Sequence, residues 1–312
     1  MPRPLSLFLA LLALVFLCGT ARAQADNVSI PAWIDNENCG PTPGFQATFN
    51  GKPAQVIAPQ GPGSDQIVLL VMDLTGDISL VDTAKQSTTE EISKLPANTW
   101  VSLLNDQDGL HVLADPSADR HAVLEAIKAL APTGKPGLLE SITPALTLAD
   151  SVMHKSPVRV SVLYITDSNI YNYREDYTNP VINGSDPHDL SRVFPDALIQ
   201  DKISKLQEDL SSLEAPLFVV HLNYRGDTLN ESYQNGLLTL ADATGGKGQI
   251  CRSIGEIPDA IAAAFARISS GWRLTMGVPP KFRGSAQIRL TAPCGGEDAR
   301  LSWRTRVRPK EE

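Results

Sequence analysis

Three short apolar runs constrain this chain more than any other feature. They are "QIVLLVMD" (66–73), "VRVSVLYITD" (158–167) and "PLFVVHLNY" (216–224). Runs this short and this apolar suit central strands covered on both faces. Two of the three stop at a carboxylate, Asp73 and Asp167. In a parallel sheet both would lie at the carboxyl edge, where open α/β folds hold their ligands.

The stretches between these runs read as helices. "DTAKQSTTEEISKL" (82–95), "ADRHAVLEAIKAL" (118–130), "GLLESITPALTLADSVMH" (137–154), "PDALIQDKISKLQEDLSSL" (195–213), "NGLLTLADATGG" (235–246) and "IPDAIAAAFARISSG" (257–271) fit helical patterns. "TWVSLLN" and "LHVLA" read as strands joined by a turn over 105–109, and "WRLTMGV" as a last strand. Strands alternating with helices predict a doubly wound, mostly parallel sheet with helices on both faces. Outside it the pattern is β. Asn50-Gly51 between two β-like runs is a hairpin signal, and "SAQIRLTAP" and "ARLSWRTRVRP" flank "CGGED" as a second hairpin. The expected division is a leader (1–23), an N-terminal hairpin and linker (24–65), the α/β domain (66–280) and a C-terminal hairpin and tail (281–312).

The leader assignment rests on Arg3, the apolar stretch Leu5 to Cys18 and the small-x-small "ARA" ending at Ala23, which together read as a signal peptide. It implies a secreted or periplasmic protein. Without Arg3 and Arg22 the 27 basic residues become 25 against 35 acidic ones, a net −10. That excludes a basic stripe for nucleic acid. The one basic concentration, "RLSWRTRVRPK", reads as the wet face of a strand. The mature cysteines are Cys39, Cys251 and Cys294. Cys39 and Cys294 sit in turn-like contexts beside the hairpins and are the expected disulfide, although Cys251 could replace either.

The order of motifs resembles a von Willebrand factor type A domain over roughly residues 45–308. That family carries a strand ending in Asp-x-Ser-x-Ser, a middle loop with a Thr, and a later strand ending in Thr-Asp-Gly. Together these form a metal-ion-dependent adhesion site (MIDAS). Here the counterparts are "MDLTGD" (72–77), "TGKPGLLESI" (133–142) and "YITDS" (164–168). The resemblance implies a protein-binding module holding Mg²⁺ or a similar divalent cation through Asp73, Thr75, Asp77 and Asp167. Pro136 stands where the family's middle-loop Thr belongs, so Thr133 would have to serve from a shifted loop. Three carboxylates would also over-neutralise the ion. Lys135 could instead place its ammonium among them. The site is therefore expected to be degenerate.

Nothing else in the sequence competes strongly. The five histidines, at 111, 121, 154, 188 and 221, share no metal spacing, and there is no Gly-x-Ser-x-Gly, phosphate loop or HExxH. The alternatives are an inert structural subunit of an envelope complex and a metal-assisted hydrolase. The segment 168–194 is long for a connection and holds Tyr171, Tyr173, Arg174 and Tyr177. Its position at the carboxyl edge and its interface-type residues mark it as a partner-binding loop.

Overall fold

The computed structural model describes residues 27–35, 39, 43–170, 195–279, 282–294 and 297–309. The chain begins with β1 (Asn27–Ile34), β2 (Gln46–Phe49), β3 (Lys52–Ala54) and β4 (Val56–Gln60). The α/β part follows: β5 (Gln66–Asp73), α1 (Ile78–Lys94), β6 (Thr99–Asp106), β7 (Leu110–Ser117), α2 (Arg120–Ala129), α3 (Ile142–Lys155), β8 (Arg159–Thr166), α4 (Pro195–Leu210), β9 (Leu217–His221), α5 (Thr228–Ala243), β10 (Lys247–Ile250) and α6 (Ile257–Ser269). Short 3-10 turns at Leu138–Ser141 and Ile254–Glu256 lead into α3 and α6. The chain then runs through β11 (Trp272–Gly277), β12 (Ala286–Thr291), β13 (Pro293–Cys294), β14 (Glu297–Asp298), β15 (Leu301–Trp303) and β16 (Arg306–Val307).

Six strands form the central sheet in the order β10-β9-β8-β5-β6-β7. All its pairs are parallel except β6–β7, a hairpin at one edge. Every residue of β5, β8 and β9 is buried, as their unbroken apolar runs require. Alternate residues of β5 feed two separate cores. Ile67, Leu69 and Val71 pack with α3, α4 and α5, while Val68, Leu70 and Met72 pack with α1, α2 and α6. Sheet order reverses between β5 and β8, so the ends of these two strands flank the topological switch point.

The β segments at the two ends do not stand as separate hairpins. They interleave into one sandwich. One sheet runs β15-β1-β11-β4 and the other β16-β12-β2-β3. They share a core of Val28, Ile30, Phe49, Leu274, Met276, Ile288 and Leu290, among others. Residues 272–277 therefore leave the α/β unit and pair with β1 and β4. The physical reason is that each terminal piece has one apolar face and too few strands to cover it alone. The β2–β3 turn has Asn50 at φ 49° and Gly51 at φ 77°, the left-handed pair that a two-residue hairpin needs. Cys39 is joined to Cys294, and Cys251 is buried and free.

Arg304 corrects the reading of the C-terminal arginines as a wet face. It is 2% exposed. Its guanidinium donates to the carbonyls of Leu210 (2.9 Å), Ser211 (3.0 Å) and Leu213, at the end of α4. The last carbonyls of a helix lack internal partners, and a planar five-donor cation supplies them. Glu214, next in the same turn, accepts from the Ser29 backbone at 3.0 Å. The sandwich is thus bonded into the α4–β9 turn rather than merely lying against it. Among the described residues, no helix is long and apolar enough to cross a membrane.

Candidate functional site

Asp73 ends β5 and is wholly buried. Its Oδ2 accepts from the hydroxyls of Ser168 (2.5 Å), Tyr164 (2.7 Å) and Thr166 (3.1 Å). Its Oδ1 is buried and has no hydrogen-bond partner among the described residues. Burial, and then the neighbouring Asp106 charge, push the Asp73 carboxyl up to about 7, against the pull of the three hydroxyls.

Asp167 lies past the end of β8, alongside it. Its two oxygens accept from the backbone amides of Thr75 (2.8 Å) and Gly76 (2.7 Å). A Cβ on Gly76 would sit 2.5 Å from Asp167 Oδ2, so this approach of loop to carboxylate needs glycine. Burial raises the Asp167 pKa, Asp77 adds to the rise, and the amides oppose it. Asp77 itself is exposed and serves as the N-cap of α1, accepting from Ser79 N at 2.8 Å and from the Ser79 hydroxyl. Those bonds lower its pKa.

The structure therefore brings Asp167 onto the backbone of the Thr75 loop, but it does not gather Asp73, Asp77 and Asp167 around one point. Among the described residues, no three His, Cys, Asp or Glu side chains are grouped as a metal would need. Thr133 and Lys135 are both exposed. The Lys135 backbone is bonded both ways to Asp108, with its N–H on Oδ1 at 3.0 Å and its carbonyl taking Asp108 N at 2.8 Å. Pro136 is buried and bridges to Gln107. Tyr171, Tyr173, Arg174 and Tyr177 lie outside the described residues. That segment leaves from Ile170, which is buried and whose N–H is held by Asn230 Oδ1 at 3.0 Å.

Two residues that sequence reasoning missed complete the site. Asp106 ends β6 and is wholly buried. It accepts from the Ser141 hydroxyl and lies 3.3 Å from the Tyr164 hydroxyl. Burial raises its pKa. Tyr164 is central: its hydroxyl is within hydrogen-bond reach of Asp73, of Asp106 and, at 3.2 Å, of the Leu138 carbonyl. Burial, followed by the two carboxylates, holds the phenol well above its ordinary range. The signals were present. Asp106 stands at the end of a parallel strand just as Asp73 does, and a buried tyrosine needs a partner for its hydroxyl. His221 is buried too, its ring on the Ser168 carbonyl at 3.1 Å and taking Asn223 N at 3.3 Å. Burial drives its pKa down to about 4.

A sheet of this strand order, with one antiparallel hairpin edge and carboxylates at its switch point, decides the likeness. The fold resembles the von Willebrand factor type A domain. No family model matches the chain, and no curated protein matches it. Solved von Willebrand factor A structures do. A von Willebrand factor type A protein from Catenulispora acidiphila is 13% identical, covering 91% of this chain and 73% of its own, with a TM-score of 0.43. The ArnB paralog VWA2 from Sulfolobus acidocaldarius is 10% identical, with 90% and 76% covered and a TM-score of 0.43. The von Willebrand domain of the type V pili tip protein Mfa5 from Porphyromonas gingivalis is 15% identical, with 66% and 94% covered and a TM-score of 0.42. These similarities are distant, and the resemblance rests on the strand order. Three large apolar side chains stand exposed just past strand ends at this edge: Ile78 (67%) at the start of α1, Ile254 (44%) at the start of a 3-10 turn, and Tyr224 (40%) after β9. The Arg252 guanidinium lies 5.5 Å from the Tyr224 ring centre.

Proposed function

We propose that this protein is an exported binding module of the von Willebrand factor A type, which engages a protein partner through the carboxyl edge of its sheet and holds no resident ion there. The observation that carries this is the engagement of the ligand set. Asp167 spends both oxygens on backbone amides, Asp77 caps its own helix, and three hydroxyls crowd one oxygen of Asp73. Pro136 offers no side-chain oxygen at all. Mg²⁺ demands near-octahedral oxygens and loses water reluctantly, which donors so occupied do not supply. The edge instead presents Ile78, Tyr224, Ile254 and Arg252, residue types suited to protein contact. Tyr171, Tyr173, Arg174 and Tyr177, of the same interface residue types, are the further contact candidates that the sequence offers. The Cys39–Cys294 disulfide suits an oxidising compartment.

One observation favours a second reading, a divalent cation at the edge: among the described residues, Asp73 Oδ1 is buried without a partner. Thermal unfolding separates the two. With millimolar Mg²⁺ or with EDTA the melting temperature is expected to stay the same, and Asp73→Ala is expected to leave that insensitivity unchanged. A rise with Mg²⁺ that Asp73→Ala abolishes would establish the cation instead. Binding itself is tested once a partner is in hand. Deleting residues 171–190, which spares the buried Ile170, and replacing Tyr224 by alanine should each weaken it, and unchanged affinity in both would remove the edge from consideration.

A further inference from the structure

We propose that Tyr164 is the positioning residue of this edge, its single hydroxyl holding the middle loop 134–138 in a shape the backbone would not otherwise keep. The inference rests on the metal-free reading above and deepens it.

The middle loop meets the sheet through Leu138. This leucine is 2% exposed and has φ 50°, a left-handed conformation that a bulky side chain rarely adopts. Something must hold it there. Its side chain is packed in the core with Tyr164 and Leu139, and its carbonyl lies 3.2 Å from the Tyr164 hydroxyl. The same hydroxyl meets Asp73 at 2.7 Å and Asp106 at 3.3 Å. Asp106 in turn takes the Ser141 hydroxyl, and its carbonyl takes Gly137 N at 3.0 Å. So β5, β6, β8 and the middle loop all converge on one phenol oxygen. The fit around it is close: a Cβ on Gly137 would lie 2.1 Å from Asp106 Oδ2 and 2.2 Å from the Ser141 hydroxyl. The loop's outer residues, Thr133 and Lys135, are exposed, so its shape is part of what a partner meets. Gathering loops is the work an ion would do; here the one phenol proton does it, shared between the Asp73 carboxyl at 2.7 Å and the Leu138 carbonyl at 3.2 Å.

The test uses neither metal nor partner. Amide hydrogen exchange is followed in EDTA on wild type, Tyr164→Phe and Thr166→Val. Phenylalanine keeps the ring and removes only the hydroxyl. Valine at 166 removes a different hydroxyl from Asp73 without touching the middle loop. In Tyr164→Phe, exchange over 137–141 should accelerate about tenfold more than in β8 and β9, the loss of one buried hydrogen bond. Thr166→Val should show no such local excess. Equal acceleration in both variants, or none over 137–141, overturns the proposal. Should Tyr164→Phe not fold, the wild-type protein still decides. The Tyr164 hydroxyl proton should be visible by NMR with contacts to Leu138 and Ser141, and a hydroxyl with contacts to neither overturns it. Because EDTA is present throughout, an ion found by the melting experiment would defeat the metal-free reading without deciding this one.

Discussion

Two buried groups at the edge titrate against each other. Asp73 has its pKa raised from 3.8 to about 7 by burial. The folded chain therefore binds its proton more tightly than the unfolded chain does. The stability this contributes is complete below pH 3.8 and is lost as pH rises through 7. His221 is the reverse, lowered by burial from 6.5 to about 4. Its contribution is complete above pH 6.5 and is lost as pH falls through 4. In wild type the two slopes oppose one another across the same window. Asp73→Asn should expose the histidine slope, with stability rising between pH 4 and 6.5 by up to about 1.4 kcal/mol per unit. His221→Gln should expose the aspartate slope, with stability falling over that range. Urea unfolding at several pH values reads both, and parallel profiles for the two variants would contradict the assignment. Of this cluster the sequence revealed Asp73 and Asp167, because both end runs of unbroken apolar residues. Asp106 was hidden by its context: "LLNDQDG" reads as a turn, and the strand ends inside it. Lys135 drew notice as a nearby charge, but proximity along the chain said nothing of which way the loop faces.

At the level of elements, packing under the middle loop is unforgiving. Gly137→Ala should destabilise by about 1–3 kcal/mol, because its Cβ would collide with Asp106 and Ser141. Gly63→Ala, with nothing within 4 Å of the added carbon, should fall within about 0.5 kcal/mol of wild type. Denaturation midpoints of the pair would show this, and equal effects would mean that the loop yields. Helices were legible because each repeats its period over many residues, and the central strands because each is a short unbroken apolar run. The β2–β3 hairpin was legible from two residues, since Asn-Gly alone satisfies its turn. The short β10, "KGQI", carries no apolar run and went unread. The pairing of β11 with β1 was also beyond reach, because antiparallel partners so far apart leave no local pattern. Arg304 misled for a related reason. Its neighbours Arg300, Arg306 and Arg308 are exposed, and only the open carbonyls at the end of α4, a distant element, explain why it is not.

Across the whole molecule, the disulfide spans 255 residues and ties the segment after β1 to the short β13. Cross-links over long loops restrict the unfolded chain most. Cys294→Ser should cost about 2–5 kcal/mol. A reductant should lower the wild-type melting temperature to match and leave the variant unaffected. Cys251 should not react with thiol reagents in the native state, since it is fully buried and its thiol is pushed up to about 11 by that burial. A reductant-insensitive wild type would show that the bond does not form.

The placement of β1 governs the order in which this chain can mature. Its neighbours in the sheet are β11 and β15, so the earliest of the described strands takes partners only from the end of the described chain. The α/β layers have less to wait for: β5 pairs with β6 across one helix and β9 with β10 across another, and the longest wait is that of β5 for β8, Gln66 for Arg159. Synthesis from the N terminus leaves Val28, Ile30 and Ala32 on a strand without sheet partners until residues 272–277 have been made. Long-range pairing of this kind is slow and exposes the chain to aggregation. The sandwich is therefore the late and vulnerable step of biogenesis, and the point at which a holding chaperone would matter to this protein.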